Sequence, residues 1–184
     1  MWRSSWASSA STVRRALPTT WKAALLKQAR TLKRLNLTPA YRAWLGAYRD
    51  FVRDVVAPLC GDDTGIAFQC PPTLRVVFPG AAGLGEHVDA DYDRHEASEI
   101  NFWIPLTAVD ARNTLFFADG RRPVELSVGE GLRFNGQQRA HFARSTPDGR
   151  TRVSFDLRCI PLSLFRDAHG GKMGDYPIEV LRRC

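Results

Sequence analysis

Two histidines and one aspartate carry the strongest chemical signal in this sequence: His87 and Asp89, separated by a single residue, and His141 further along the chain. In an extended backbone, residues i and i+2 project to the same side, so His87 and Asp89 address one point in space. Two imidazoles and a carboxylate meeting at such a point form one face of an octahedral metal site. This is the donor set used for non-haem Fe(II), and it leaves the other positions open for a co-substrate and dioxygen. A His-x-Asp pair alone occurs by chance in many proteins. A fourth residue strengthens it: Arg152 stands eleven residues beyond His141, in the alternating run Arg152, Val153, Ser154, Phe155, Asp156. Arg152 and Ser154 share one face of that strand, while Val153, Phe155 and Leu157 can bury the other. A metal-chelating keto acid held inside a barrel needs a permanently charged, forked partner for its far carboxylate, which is Arg rather than Lys. Ser154 would add one hydrogen bond to the same carboxylate.

Other residues nearby are chemically competent. His95 and Glu99 are rival metal ligands; they rank behind His87 and Asp89 as supporting or substrate-facing groups, because His-x-Asp puts both donors on one side without a bend. Asp91 and Tyr92 follow the ligand pair and read either as the mouth of the site or as a solvated turn. Asn101 and Trp103 share a strand face, opposite Phe102 and Ile104. If that face points inward, Asn101 bonds the co-substrate and Trp103 walls the cavity or fills core. Arg75 and Arg158 read either as interior cations for an anionic substrate or as strand-edge surface charges.

These residues need a scaffold. At 184 residues, with 44% hydrophobic and 24% charged side chains, the chain suits one domain plus a tail. No apolar run approaches the length needed to cross a bilayer, so no helical membrane span is expected. The net charge of +7 is unevenly spread: residues 1 to 49 hold ten Lys or Arg and no acid, leaving sixteen basic against nineteen acidic residues from Asp50 onward. The body is therefore mildly acidic, which argues against a nucleic-acid-tracking domain. Cys60, Cys70, Cys159 and Cys184 show no two-residue spacing and read as reduced thiols of an intracellular protein.

Residues 1–37 read as a basic extension. Its opening is rich in Ser, Arg and Ala and lacks acids, the pattern of an organelle transit peptide, with a plain basic surface extension as the competing reading. A cytoplasmic location follows from the second reading and a mitochondrial or plastid one from the first. Within it, residues 21–35 space their apolar side chains as an amphipathic helix, read as docked on the domain. The domain proper is assigned to residues 38–184. Thr38-Pro39 predicts a capped helix with its apolar stripe from Tyr41 to Leu59 and its stop at Gly61, wide enough to cover one face of a sheet. After Pro71-Pro72 come short β-rich runs at 73–78, 99–106, 113–118, 124–128, 132–136, 139–143 and 151–160, with hairpin signals at Asp119-Gly120 and Asp148-Gly149. The expected architecture is mainly β: a jelly-roll, cupin-like core with N-terminal helices packed on one face.

The stretch EHVDADYDRHEASEINFWIPLT, followed by NTLFF, RFNG, His141 and TRVSFDLRCIP, resembles the StrG-like (streptomycin-biosynthesis) 2-oxoglutarate/Fe(II) dioxygenases, and the likeness extends upstream through PPTLRVVFPG. That resemblance implies a double-stranded β-helix, with His87, Asp89 and His141 as iron ligands and Arg152 as the 2-oxoglutarate anchor. It implies hydroxylation of a small molecule by dioxygen, with release of succinate and CO2. Related halogenases replace the carboxylate ligand with a small residue, so Asp89 points to hydroxylation or oxidation. Two competing readings remain: an alkylation-repair type dioxygenase acting on nucleic acid, prompted by the Arg152 to Arg158 separation and the basic N-terminus, and a metal-free jelly-roll binding module.

Overall fold

Residues 2–5, 38–81, 83–144, 149–168 and 170–183 are described by a computed structural model. The transit-peptide-like opening beyond residue 5 and the amphipathic stretch 21–35 lie outside them. Residues 38–61 form one compact unit, and Asp62–Cys184, with strand β1 (Trp2–Ser5), form another.

The helical unit starts where its cap chemistry requires. Thr38 Oγ1 accepts the Tyr41 N–H at 3.2 Å, and proline fills the first position of α1 (Pro39–Phe51). The helix continues through a π turn, Val52–Val56, into α2 (Ala57–Cys60) and stops at Gly61 in the left-handed conformation, φ 71°. Of the apolar stripe, Tyr48, Val52, Val56 and Ala57 are buried.

The β unit is built on its longest strand. The other strands are β2 (Gly65–Gln69), β3 (Thr73–Val77), β4 (Ile100–Pro105), β5 (Leu115–Phe117), β6 (Arg122–Pro123), β7 (Gly131–Phe134), β8 (His141–Ala143), β9 (Arg152–Pro161), β10 (Lys172–Met173) and β11 (Tyr176–Arg182). β9 is long enough to serve two partners on one edge: its first half pairs with β3 and its last residues with β2, while β4 runs along the other edge. The large sheet has the order β1-β7-β4-β9-β2-β11-β10, and the small one β6-β5-β8. Every pairing is antiparallel except that of β1 with β7. The mainly β, jelly-roll expectation holds, with antiparallel sheets and an N-terminal helix.

The core lies where the inner faces meet. Trp103, Leu132 and Phe134 of the large sheet cluster with Leu115 and Phe117 of the small one, joined by Val124 and Leu126. Phe117 meets Phe134 edge to face at 5.5 Å between centroids, a favourable quadrupole arrangement. Burying each of these side chains contributes about 1.5–3 kcal/mol. Alternation then sorts the rest. Asn101, Trp103, Arg152, Ser154, Asp156 and Arg158 share this inner face, and Phe102, Ile104, Phe155 and Leu157 lie on the other, which is also buried.

Two local differences from the sequence reading have physical causes. The run 124–128 is extended without forming a strand: Pro123 lacks an N–H, and a turn begins at Ser127, whose carbonyl accepts the Glu130 N–H at 3.0 Å. Val124 and Leu126 still alternate into the core. β2 and the β10–β11 hairpin were not anticipated. β2 is buried at every residue, so it shows no alternation to read. Among the described residues no helix is long and apolar enough to cross a membrane.

Candidate metal centre

His87 and His141, 54 positions apart, are locked together by backbone pairing across the open edge of β8. The His87 N–H donates to the His141 carbonyl at 3.1 Å, and the His141 N–H donates back at 2.9 Å. Their rings stand 4.3 Å apart between centroids. Val88 is extended, so Asp89 returns to the side of His87 before a 3-10 turn begins. One ligand atom from each of His87, Asp89 and His141 lies within 4.8 Å of the other two.

Hydrogen bonding aims each donor. His87 Nδ1 lies 2.8 Å from the Gly85 carbonyl, and His141 Nδ1 lies 2.9 Å from that of Arg139. A carbonyl only accepts, so each Nδ1 carries the proton and each Nε2 keeps its lone pair for a metal. Burial, opposed only in part by neighbouring Asp89, pushes the His141 imidazolium pKa down to about 4, and burial lowers that of His87 too. Both rings are neutral, as ligation requires. Asp89 is completely buried. Burial alone would push its carboxyl up, but the Arg158 guanidinium and the hydrogen bonds to Oδ2 hold it well below the usual carboxylate range.

The two carboxylate oxygens have different tasks. Oδ2 accepts from Asn101 Nδ2 at 2.6 Å and from Arg158 Nε at 3.0 Å. Oδ1 is buried with no hydrogen-bond partner and faces His87 Nε2 at 3.7 Å. A buried carboxylate oxygen with no donor is costly unless a cation meets it. This donor set fits a divalent metal with vacant positions, which His87, Asp89 and His141 would hold. Gly136 makes the close approach of the backbone possible: its carbonyl accepts the Asp89 N–H at 2.7 Å, and its N–H donates to Asn101 Oδ1 at 3.1 Å. A Cβ there would lie 2.7 Å from Asp89 Oδ2 and 2.6 Å from Asn101 Nδ2.

Arg152 and Ser154 lie on the same inward face of β9, toward its start. Arg152 is 2% exposed; one Nη donates to the Asn113 carbonyl at 3.0 Å, and the guanidinium lies 5.9 Å from the centre of the Trp103 ring. Its Nε and the Ser154 hydroxyl are buried without partners, and no carboxylate of the described residues pairs with it. Burial, with Arg75 nearby, lowers its pKa to about 10, so it stays charged at neutral pH. An interior cation with an unpartnered Nε beside an unpartnered hydroxyl is an arrangement that could accept an anion.

The remaining candidates have other partners. Asn101 is spent on Asp89 and Gly136. Arg158 lies on Asp89, and Arg75 is ion-paired with Asp156 through both carboxylate oxygens. Trp103 belongs to the core beneath Arg152. Tyr92, 40% exposed, meets the His87 ring edge-on at 5.6 Å between centroids, and Asp91 is exposed with one oxygen 3.3 Å from the Val88 N–H. His95 is bonded to Glu99 at 2.7 Å. Gly136, Asp156 and Tyr176 escaped the sequence reading. Asp156 shares the Arg152 face by parity, and that was its available signal; Tyr176 lies beyond the stretch whose resemblance was read.

No family model matches the chain. Among solved structures, a non-heme monooxygenase, ThoJ, in a nickel complex aligns at TM-score 0.49 with 20% identity, covering 59% of this chain and 49% of that one. The non-heme alpha ketoglutarate dependent carbocyclase SnoK from nogalamycin biosynthesis aligns at 0.48 with 15% identity, over 67% and 65%. The streptomycin biosynthesis protein StrG of Streptomyces griseus is 34% identical over 115 residues, 61% of this chain and 56% of that protein, so the chain spans about half the length of this curated relative. Over that aligned stretch, which exceeds half of its residues, the chain is similar in sequence to StrG.

Proposed function

We propose that this protein is a non-haem Fe(II)- and 2-oxoglutarate-dependent oxygenase that hydroxylates a small molecule. The observation that carries the reading is a pairing of unmet demands inside one sandwich. Asp89 Oδ1, which accepts no hydrogen bond, lies with two imidazole nitrogens within reach of one metal, and Arg152 Nε and Ser154 Oγ are buried with no hydrogen-bond partner among the described residues. Fe(II) held by His87, Asp89 and His141 would supply the dioxygen chemistry that couples conversion of the keto acid to succinate and CO2 with hydroxylation of the substrate.

The chain's own contribution is placement and exclusion of water. His87, Asp89 and His141 would hold the metal and, as only three ligands, would leave positions for the keto acid and dioxygen. Arg152 and Ser154 take the far carboxylate, so that the keto acid enters in one orientation. Trp103, Phe117 and Phe134 wall the interior with apolar surface, which strengthens the electrostatic hold on both ligands. A small-molecule substrate accords with the biosynthetic role in the name of StrG and with the acidity of residues 50–184.

The test is direct. Anaerobically reconstituted protein should take up about one Fe(II) per chain and, on addition of 2-oxoglutarate and oxygen, release succinate slowly even without a prime substrate. Failure of metal-replete protein to form succinate, with or without a panel of candidate substrates, would count for the binding-module reading. Salt-sensitive binding to DNA or RNA would favour the nucleic-acid reading instead.

A further inference from the structure

Behind Asp89 lies a row of charged groups, Arg158, Glu99 and His95. Arg158 Nε reaches Asp89 Oδ2 at 3.0 Å and Glu99 Oε2 at 3.8 Å, and Glu99 Oε2 in turn meets His95 Nδ1 at 2.7 Å. The second Glu99 oxygen accepts the Glu96 N–H at 2.9 Å. Glu99 is 1% exposed and Arg158 7%, so the row is sealed from water. Two carboxylates share one guanidinium, which leaves one net negative charge beside the ligand triad for a cation to meet.

The seal is the C-terminal hairpin, the turn between β10 and β11. Gly174, at φ 58°, packs so closely on the His95 ring that a Cβ there would lie 2.5 Å from Nε2. Its N–H donates to the Arg94 carbonyl at 2.8 Å, which ties the hairpin to the loop carrying His95. Two residues on, the Tyr176 ring lies 5.1 Å from the Arg158 guanidinium, within cation–π range. One four-residue turn therefore touches both ends of the row.

We propose that the hairpin tip, Met173–Tyr176, is a working part of the metal centre: through His95, Glu99 and Arg158 it holds Asp89 as a ligand with a single free oxygen. The inference rests on the proposed metal-dependent function and deepens it. Asp89 Oδ2 is tied down by Arg158 and Asn101, so only Oδ1 reaches the metal and a coordination position is kept open. Arg158 needs its own anchor, because a guanidinium on a flexible stem can turn toward either carboxylate. Glu99 supplies that anchor from one side and the Tyr176 ring from another. His95, Glu99, Arg158 and Tyr176 are positioning residues, and Gly174 sets their distance from the hairpin.

A Co(II) titration of the 184-residue apoprotein, read by visible absorption, tests this without reference to turnover. Wild-type protein should bind about one equivalent. E99Q removes a buried negative charge close to the ion, and Y176A removes the ring against Arg158. Each should weaken Co(II) affinity by about 10- to 100-fold and alter the visible bands as Asp89 changes its attachment. Y176F, which keeps the ring, should retain wild-type affinity and bands. Should E99Q not fold, as judged by circular dichroism, the two Tyr176 variants carry the comparison. Wild-type affinity and bands in Y176A and in folded E99Q would overturn the hairpin's role while leaving the oxygenase reading intact. A wild-type chain that binds no Co(II) would remove both.

Discussion

The two ends of the inward face of β9 are built on opposite principles. At one end Arg158 is paired within the protein: its Nε meets Asp89 and Glu99, the Tyr176 ring lies against the guanidinium, and Asp89 above all holds its pKa above the usual guanidinium value although burial works against it. At the other end Arg152 has one backbone carbonyl and, among the described residues, no carboxylate at ion-pair distance, and burial pulls its pKa down against the more distant Asp156. Six residues apart on one strand, the same side chain type is thus a counter-ion for the protein's own carboxylates at one position and, in the proposed function, the receptor for the keto-acid carboxylate at the other.

The sharpest way to break this contrast is to replace each arginine by methionine. R158M leaves Asp89 and Glu99 buried without their shared counter-charge and should cost about 3–5 kcal/mol in denaturant unfolding of the apoprotein. R152M removes a buried charge with no carboxylate at ion-pair distance among the described residues, so apoprotein stability should stay level or rise, while the apparent KM for 2-oxoglutarate rises by about 10- to 100-fold. Equal destabilisation by the two variants would erase the distinction.

Acidification probes the ligand cluster next. The folded-state pKa of His141, about 4, lies below the ordinary 6.5, so the unfolded chain takes up a proton in that interval and the folded chain does not. The stability this group contributes is complete above about pH 6.5 and drains away toward pH 4, at no more than about 1.4 kcal/mol per pH unit. Asp89, also depressed, extends the loss at pH values below its ordinary 3.8. Urea midpoints of apoprotein between pH 7 and 4 should fall, and those of H141Q should fall less steeply. Bound metal should flatten the wild-type curve, since ligated imidazoles cannot protonate.

Two smaller effects separate the ligand cluster from its rim. G136A forces a methyl group against Asp89 Oδ2 and Asn101 and should weaken metal binding by about 10-fold in a competition titration. D91N alters an exposed side chain with a single 3.3 Å contact and should change unfolding free energy by less than about 0.5 kcal/mol, with succinate release unaltered. A D91N variant that lost activity would move the site's working boundary outward.

Much of the centre was legible because it is local. The i, i+2 spacing of His87 and Asp89, the shared face of Arg152 and Ser154, and the capped helix from Thr38 all depend on backbone periodicity over a few residues. Parity placed Asn101 with Trp103 on one strand face but left open whether that face points inward, and Arg158 read as either interior or strand-edge; the structure buries both and gives them partners that were not foreseen. Sequence reading offered Asn101 to the co-substrate, whereas its amide and carbonyl hold Asp89 and Gly136. β2 escaped notice because a strand buried on both faces has no alternation, and the hairpin because its residues acquire meaning only against Arg94, His95 and Arg158.

By itself, then, the amino-acid order determined which side chains share a face, that the body of the chain is β-rich and mildly acidic, and which residue types are competent to hold a metal and a keto acid. Only the tertiary structure decided that His87 would pair with His141 across 54 positions, that Arg158 and not Arg152 would meet Asp89, and that a distant hairpin would close over His95. The physical reason is that periodicity is set by the geometry of neighbouring peptide units, whereas register and partner choice come from long-range pairing and burial, which no local pattern encodes.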